Sequence, residues 1–567
     1  MENFQRIERF TSILDEELSY IPNNPTLTPA RYSIYMLKFL FDGLWNVIHI
    51  LKTIVEEEHP DFLRIYTTYP IKSHQLRYAF SNEESVYVEV LNMPGWNIPI
   101  EIIKDTNPDA PDQTILNQKN TTFSRLLAWI KGKDLFFNLG LIGKREGFVL
   151  AAAALYYYIT CWHRKPVLIY NSGYNWDDTL FELYRAGVCP IFRLSDEDID
   201  RTYSNVQNYH EVVQKVCCSH PAMREFEQIF DIDVSSFFFD RASRIIGDSF
   251  GESIHSYLMT REMISQKKIR CLLHSARDRP RGHAIIKAAH DEGIPVVSWQ
   301  HGGAGYYYHP IMPYIEFIDS DLHFVFGKGV AESYRTTIAK LGLKNTPVFV
   351  EVGSSSLDTF HMNSKKLSIK PANKSVVYIT TAYLQNLYTI PHPYDPSDYD
   401  EHLWQIQMLI LDLARKNPEK SFIMKFNSSQ KNLEPVISYV NNNGIKNIKI
   451  VTSEMSIWEL IEIADIVIFD LISTAILQVL TSETQVFAYS GLSDYDPGIV
   501  MQLKKRAYVS NNPREFIDYI EEYIKTRNVS EYPVDLTNNS FMVQYGTDIH
   551  THNSAEKAVK KLIEIIH

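Results

Sequence analysis

A chain of 567 residues exceeds the roughly 250–300 at which one hydrophobic core stops growing, so two principal domains are expected. With 45% hydrophobic and 22% charged residues, the composition is that of a globular protein and not of a disordered one. A formal net charge of −12 argues against general nucleic-acid binding, which needs an excess of Lys and Arg, but leaves room for an anionic small ligand held by a few local cations and backbone N–H groups.

Residues 1–60 are spaced as helices, with Ile34, Leu37, Leu40, Leu44, Val47, Ile48 and Leu51 recurring at helical intervals. The start, Met1 to Leu14, is polar and mixed in charge, without the basic and then apolar pattern of a signal peptide. Over 61–353 a strand–helix rhythm follows, with strands expected at Phe62–Tyr66, Val86–Val90, Pro166–Tyr170, Ile269–Leu273, Pro295–Trp299, Leu322–Gly327 and Pro347–Gly353. Strand, helix and strand across 269–299 make a βαβ unit, which implies a parallel sheet. The most apolar stretch, Gly147–Cys161, is too short to span a bilayer and runs into Trp162-His163-Arg164-Lys165, so it reads as a buried helix. Residues 354–374, Ser/Asp-rich and then Lys/Pro-rich, read as an interdomain linker.

A second α/β series fills 375–567. Its strands are expected at Ser375–Thr380, Ser421–Phe426, Ile448–Val451, Ile466–Phe469 and Gln485–Tyr489, with helices near 400–416, 431–443, 456–463 and 473–482. A closing helix, Ser554–Ile566, is suited to packing back on the first half. The fold class is therefore α/β, with two Rossmann-like parallel-sheet domains facing a cleft and additional N-terminal helices. Five cysteines, Cys161, Cys189, Cys217, Cys218 and Cys271, lack a repeated metal-ligand spacing and fit a reducing cytosol.

Open parallel sheets bind ligands at the carboxyl edge, so residues that follow strands are the candidates. After the Ile269–Leu273 strand come Arg277, Asp278, Arg279 and Arg281, where flanking arginines would keep Asp278 ionised and could grip a carboxylate or phosphate; a surface salt bridge at a helix start is the plainer reading. After the next strand come His301, Gly302 and Gly303: the glycines let backbone approach a ligand, and the histidine can act as a general base or hydrogen-bond donor. In the second half, Lys425 and Asn427 follow a strand and suit a phosphate and a ribose. Ser473 and Thr474 open a helix where hydroxyls and N–H groups form an anion site, although capping alone accounts for one hydroxyl. Asp177 and Asp178 could receive an acceptor or merely cap a helix, His392 could line the cleft, and Gly353-Ser354-Ser355-Ser356 could be a hinge or touch phosphate. With no paired-aspartate metal motif or Walker-type Gly-Lys-Ser, neither metal dependence nor P-loop chemistry is expected.

The order of these segments, with Gln300-His301-Gly302 closing the first half, then Val352-Gly353-Ser354-Ser355, Lys425 at a strand end, and Ala464-Asp465-Ile466-Val467-Ile468 leading to Asp470 and Ser473-Thr474, resembles the GT-B transferases of bacterial surface polysaccharide assembly. That group includes capsule β-Kdo transferases, GT-B sialyltransferases and CDP-glycerol glycerophosphotransferases, and the likeness is best over 265–490. The resemblance implies a glycosyltransferase using a CMP- or CDP-type donor such as CMP-Kdo, with no cofactor beyond that substrate. It implies His301 as a catalytic residue, Asp278 as a nucleophile or base, Lys425 and Asn427 on the nucleotide, and Ser473 and Thr474 on the donor phosphate. Asn427-Ser428 stands where the group has His-Pro, and Gln478 where it commonly has Glu, so the ribose contacts differ. The group works at the cytoplasmic face beside lipid-linked glycan acceptors, which implies peripheral membrane association. A polyol-phosphate transferase, a two-Rossmann sugar-nucleotide epimerase and a non-catalytic nucleotide-sugar-binding module are the other readings, and oligomeric state is left open.

Overall fold

The structure is a computed structural model that describes residues 2–20, 24, 26–67, 90–96, 98–104, 134–161, 163–171, 174–203, 209–218, 232–233, 235–276, 279–303, 312–344, 346–364, 374–383, 399–427, 435–530 and 532–566. The strands, in chain order, are β1 Leu63–Thr67, β2 Ile100–Lys104, β3 Val167–Tyr170, β4 Ile191–Leu194, β5 Cys271–His274, β6 Val296–Trp299, β7 Leu322–Val325, β8 Val348–Glu351, β9 Ser375–Ile379, β10 Phe422–Lys425, β11 Ile448–Val451, β12 Ala464–Phe469, β13 Gln485–Tyr489 and β14 Tyr508–Ser510.

Two six-stranded parallel sheets dominate. The first runs β4-β3-β5-β6-β7-β8 and the second β11-β10-β9-β12-β13-β14. Strand order reverses beside β3 in the first sheet and between β9 and β12 in the second, which places the carboxyl-edge crevices there. Their inner strands are mostly apolar because helices cover both faces: β3, β5, β6 and β13 are buried at every position, the polar His274, Ser298 and Gln485 included. The architecture is thus two Rossmann-like lobes with helices before them, a GT-B-like α/β fold.

The helices Glu2–Leu18, Pro29–Tyr32 and Ile34–Glu58 pack with the 33-residue helix Ser235–Lys267 around Phe10, Phe41 and Phe238. The short parallel pair β1-β2 belongs to this layer and not to the first lobe's sheet, which begins only at Val167. Of the expected strand at Val86–Val90, only Val90 lies within the described residues, and there it is helical. Where a linker is expected at 354–374, Ser355–Ser364 is a helix and 365–373 lie outside the described residues.

The chain crosses between lobes twice, once after β8 and again at its end. The helix Ser554–Ile565 leaves the second lobe and docks on the first, burying Ala558, Val559 and Leu562 in one cluster with Trp176 and Leu183. Asp358 accepts from the Ser554 N–H at 2.9 Å, and Lys165 donates to the Ile566 carbonyl at 2.8 Å.

Helix Phe148–Thr160 departs from expectation. Ala151 and Ala154 are buried, but Phe148, Val149, Tyr156 and Ile159 are exposed. Composition alone suggests burial; among the described residues, only one face of this helix packs against a neighbour.

Candidate functional site

The turn after β6 is built by its neighbours. Gln300, fully buried, donates from Nε2 to the Gly302 carbonyl at 2.7 Å and accepts the Phe326 N–H at 2.9 Å, so it braces the turn against the end of β7. The adjoining Trp299 indole donates to the Gly353 carbonyl at 3.1 Å. His301 is thereby fixed through its backbone, whose N–H donates to buried Glu316 at 2.9 Å, while its side chain is exposed. Gly302 has φ +62° and lies so close to the second lobe that a Cβ would sit 2.2 Å from the Thr474 hydroxyl oxygen. The Gly303 N–H then donates to that same oxygen at 2.9 Å. The two carboxyl edges meet at this point.

Across the contact, a cavity of about 410 Å³ opens at the β9/β12 reversal. Lys425, Asn427 and Ser473 line it together with Thr380, Thr381 and Asp470. Burial lowers the Lys425 pKa, with Glu454 opposing the shift, and its ammonium has no hydrogen-bond partner among the described residues. Ser473 is the N-cap of the helix Thr474–Leu480 but makes no capping side-chain bond. That helix spans only seven residues, so the positive charge for an anion comes from Lys425 more than from a helix dipole.

Asp470, at the end of β12, was not singled out in the sequence as a site residue. It is buried and accepts from the Tyr378 hydroxyl at 2.6 Å, the Thr380 hydroxyl and, through its other oxygen, the Thr381 N–H at 3.0 Å. Burial pushes its pKa up to about 6 despite these three donors. Gln407 extends the network by donating to Thr380 at 2.8 Å. Its sequence signals were its position, one residue past a buried strand, and its place in the 464–474 segment that carries the resemblance.

The remaining candidates fall elsewhere. Thr474 is committed to accepting from the Gly303 N–H, and neither its hydroxyl nor that of Ser473 caps the helix. Gln478 is half-buried one turn along the same helix. Arg277, Asp278 and His392 lie outside the described residues. Arg279 occupies the N-cap position of the helix Pro280–Asp291 without a capping side-chain bond and stands 3.9 Å from Asp196. Arg281 is buried and engaged within the first lobe by Asp200 at 2.8 Å, by Glu252 and by the Asp196 carbonyl, so its donors serve the fold and not a ligand. Asp177 pairs with Arg193 at 3.0 Å, and Asp178 with Arg145 at 2.6 Å. Burial raises the Asp178 pKa, and its partners make it a structural carboxylate. Ser354 and Ser355 donate to Asn175 at 2.8 and 2.7 Å, so their hydroxyls anchor a helix start.

No protein-family model and no curated protein matches the chain. Solved structures similar to it include a UDP-GlcNAc 2-epimerase from Neisseria meningitidis bound to UDP-GlcNAc, at 14% identity and TM-score 0.40 over 71% of this chain and 100% of that one. A UDP-GlcNAc 2-epimerase from Methanocaldococcus jannaschii is 12% identical with TM-score 0.42 over 71% and 100%. MurG from Acinetobacter baumannii is 10% identical with TM-score 0.37 over 70% and 99%.

Proposed function

We propose that the chain is an enzyme acting on a nucleotide-activated sugar, and that it transfers the sugar to a glycan acceptor in the cytoplasm. The observation that supports this reading is the gathering of Lys425, Asn427 and Ser473 in one cavity at the reversal of strand order in the second sheet. In this reading Lys425 and the Ser473 hydroxyl hold the donor phosphate, and Asn427 and Gln478 contact the nucleoside. His301 stands beside the lobe contact with its ring in solvent, where it would take the proton of an attacking hydroxyl. Asp278 is the second candidate for base or nucleophile, with Arg277, Arg279 and His392 as candidate donor or acceptor contacts. A CMP- or CDP-type donor rests on the sequence resemblance alone.

Thermal-shift titration with CMP, CDP, UDP and GDP tests the reading. A ligand at 100 times its Kd should add about 2.7 kcal/mol of stability, and Lys425→Met and Ser473→Ala should remove that response without lowering the melting temperature of the free protein. No stabilisation by any nucleotide would refute it.

Isomerisation of the bound sugar without an acceptor is a second reading. It is favoured by the direct seating of Gly302 and Gly303 on Thr474, which narrows the space an acceptor would need. Proton NMR of the nucleotide sugar that stabilises the protein separates the two: new sugar resonances without acceptor indicate isomerisation, and turnover only on adding acceptor indicates transfer.

A further inference from the structure

A second cavity, of about 500 Å³, opens at the amino edge of the first sheet, where the helix Pro29–Tyr32 packs against the helix Pro280–Asp291 and the entry to β7. The sheet edge itself borders it: Asp321, one residue before β7, accepts the Val296 N–H at the start of β6 at 2.8 Å. The turn that carries His301 lies at the other end of β6, and four residues at about 3.3 Å each put roughly 13 Å of sheet between the two. The donor site therefore does not include this cavity, whose volume falls within the roughly 300–1,000 Å³ of small-molecule sites. Two non-glycine residues bordering it, Thr26 at φ +62° and Asp319 at φ +66°, have left-handed backbone. Such conformations collect at ligand sites, and a β-branched threonine adopts one rarely.

Charge selects the ligand. In the lining, Arg31 and Lys287 stand against Asp319 and Asp321, so an anion meets no excess of positive charge. Lys287 is moreover held by both oxygens of Asp291, at 2.5 and 2.6 Å. A cation fares no better, because Asp321 is engaged by the Val296 N–H and stands 3.4 Å from His290, while Asp319 lies beside Arg31 and His283. His and Asp side chains in one cavity raise the question of a metal, but among the described residues no three such groups are placed to hold an ion.

The lining suits a neutral group that both donates and accepts. Arg31 Nη2 stands 3.9 Å from one Asp319 oxygen, and His283 Nδ1 stands 3.8 Å from the other. These separations exceed a direct hydrogen bond. A hydroxyl set between guanidinium and carboxylate donates to the oxygen and accepts from the N–H, and both bonds are charge-assisted. Among the described residues the Arg31 guanidinium and the Thr346 hydroxyl have no hydrogen-bond partner, so their capacity is unspent. The Tyr32 and His283 rings, stacked at 5.4 Å with planes 10° apart, and Ile286 supply apolar surface beside these polar groups. Neighbouring hydroxyls on a compact ring with apolar C–H surface describe a sugar.

We propose that this cavity binds a neutral sugar unit, with one hydroxyl bridging Arg31 and Asp319 and another meeting Thr346. The proposal is independent of the chemistry at the cleft. The test is saturation-transfer NMR of the full chain with the methyl glycosides of glucose, galactose, mannose and N-acetylglucosamine. At least one should receive saturation from the wild-type protein. Arg31→Met/Asp319→Asn should weaken its binding about tenfold or more, through loss of charge-assisted hydrogen bonds, and leave the thermal response to nucleotides unchanged. Asparagine tolerates the left-handed backbone at 319, and the Arg31 side chain is 43% exposed, so both changes suit the fold. Should the double variant misfold, Thr346→Trp at an exposed position fills the cavity and should abolish binding. Lys425→Met should keep the glycoside signal; its loss there would place the sugar in the donor cavity and overturn the proposal. A wild-type protein that transfers saturation to none of the four, or a signal that survives the double variant and Thr346→Trp, overturns it too. So does displacement of the glycoside by millimolar inorganic phosphate, which would mark an anion site.

Discussion

Gln300, His301 and Gly302 are consecutive, yet they differ in what they do physically. The first braces the turn, the second faces solvent, and the third makes room for Thr474. Among the residues lining the cavity at the β9/β12 reversal, Asp470 is the one whose environment has a direct thermodynamic consequence. Its folded pKa of about 6 lies above the ordinary carboxylate value of 3.8, so the native state holds its proton over a range where the unfolded chain has lost it. The associated stability is present at low pH and disappears as pH rises through 6. Between pH 5 and 7.5 the loss from this one group is about 1.4 kcal/mol. Urea denaturation at the two pH values should show Asp470→Asn reducing the wild-type difference by that amount. An unchanged difference would place the titration elsewhere, for example at Glu146, whose pKa burial also raises, to about 7.

Among the elements, the terminal helix Ser554–Ile565 links sequence to packing most plainly. Its spacing buries Ala558, Val559 and Leu562 on one side, and that side meets the first lobe. Leu562→Ala should cost about 2–5 kcal/mol in chemical denaturation, as a core residue would, although it lies close to the chain end. The central strands were legible because both their faces are covered and apolar residues fill most of their positions, as at Val296, Val297 and Trp299. The edge strands β4 and β14 were not: Ile191–Leu194 includes Arg193, and Tyr508–Ser510 is only three residues long. Helix Phe148–Thr160 shows the complementary failure, since its composition indicates a helix but not which neighbours will cover it. The site divides in the same way. Lys425 and Ser473 could be found by following strands to their carboxyl ends. The structural role of Asp178 could not, because its partner Arg145 lies 33 positions away, and Asp470 depends on Tyr378, 92 positions earlier.

At the scale of the whole molecule, the two lobes share a cluster that includes Trp176 and Trp299 from the first and Phe469 and Leu477 from the second. The terminal helix adds Leu562 to it, so the second half of the chain contributes to the core of the first. A specific protease site inserted after Ser364 should therefore yield two fragments that co-elute in gel filtration and part only in denaturant; fragments that separate in buffer would show the docking to be weak. The double crossing also restricts how the molecule can move. With one segment passing outward after β8 and another returning to Lys165, the lobes cannot slide apart or turn freely without tearing one attachment. The rigid-body freedom that remains is rotation about the line joining the two crossings. The molecule is a jaw rather than a tether, and opening it would break the Gly303–Thr474 hydrogen bond.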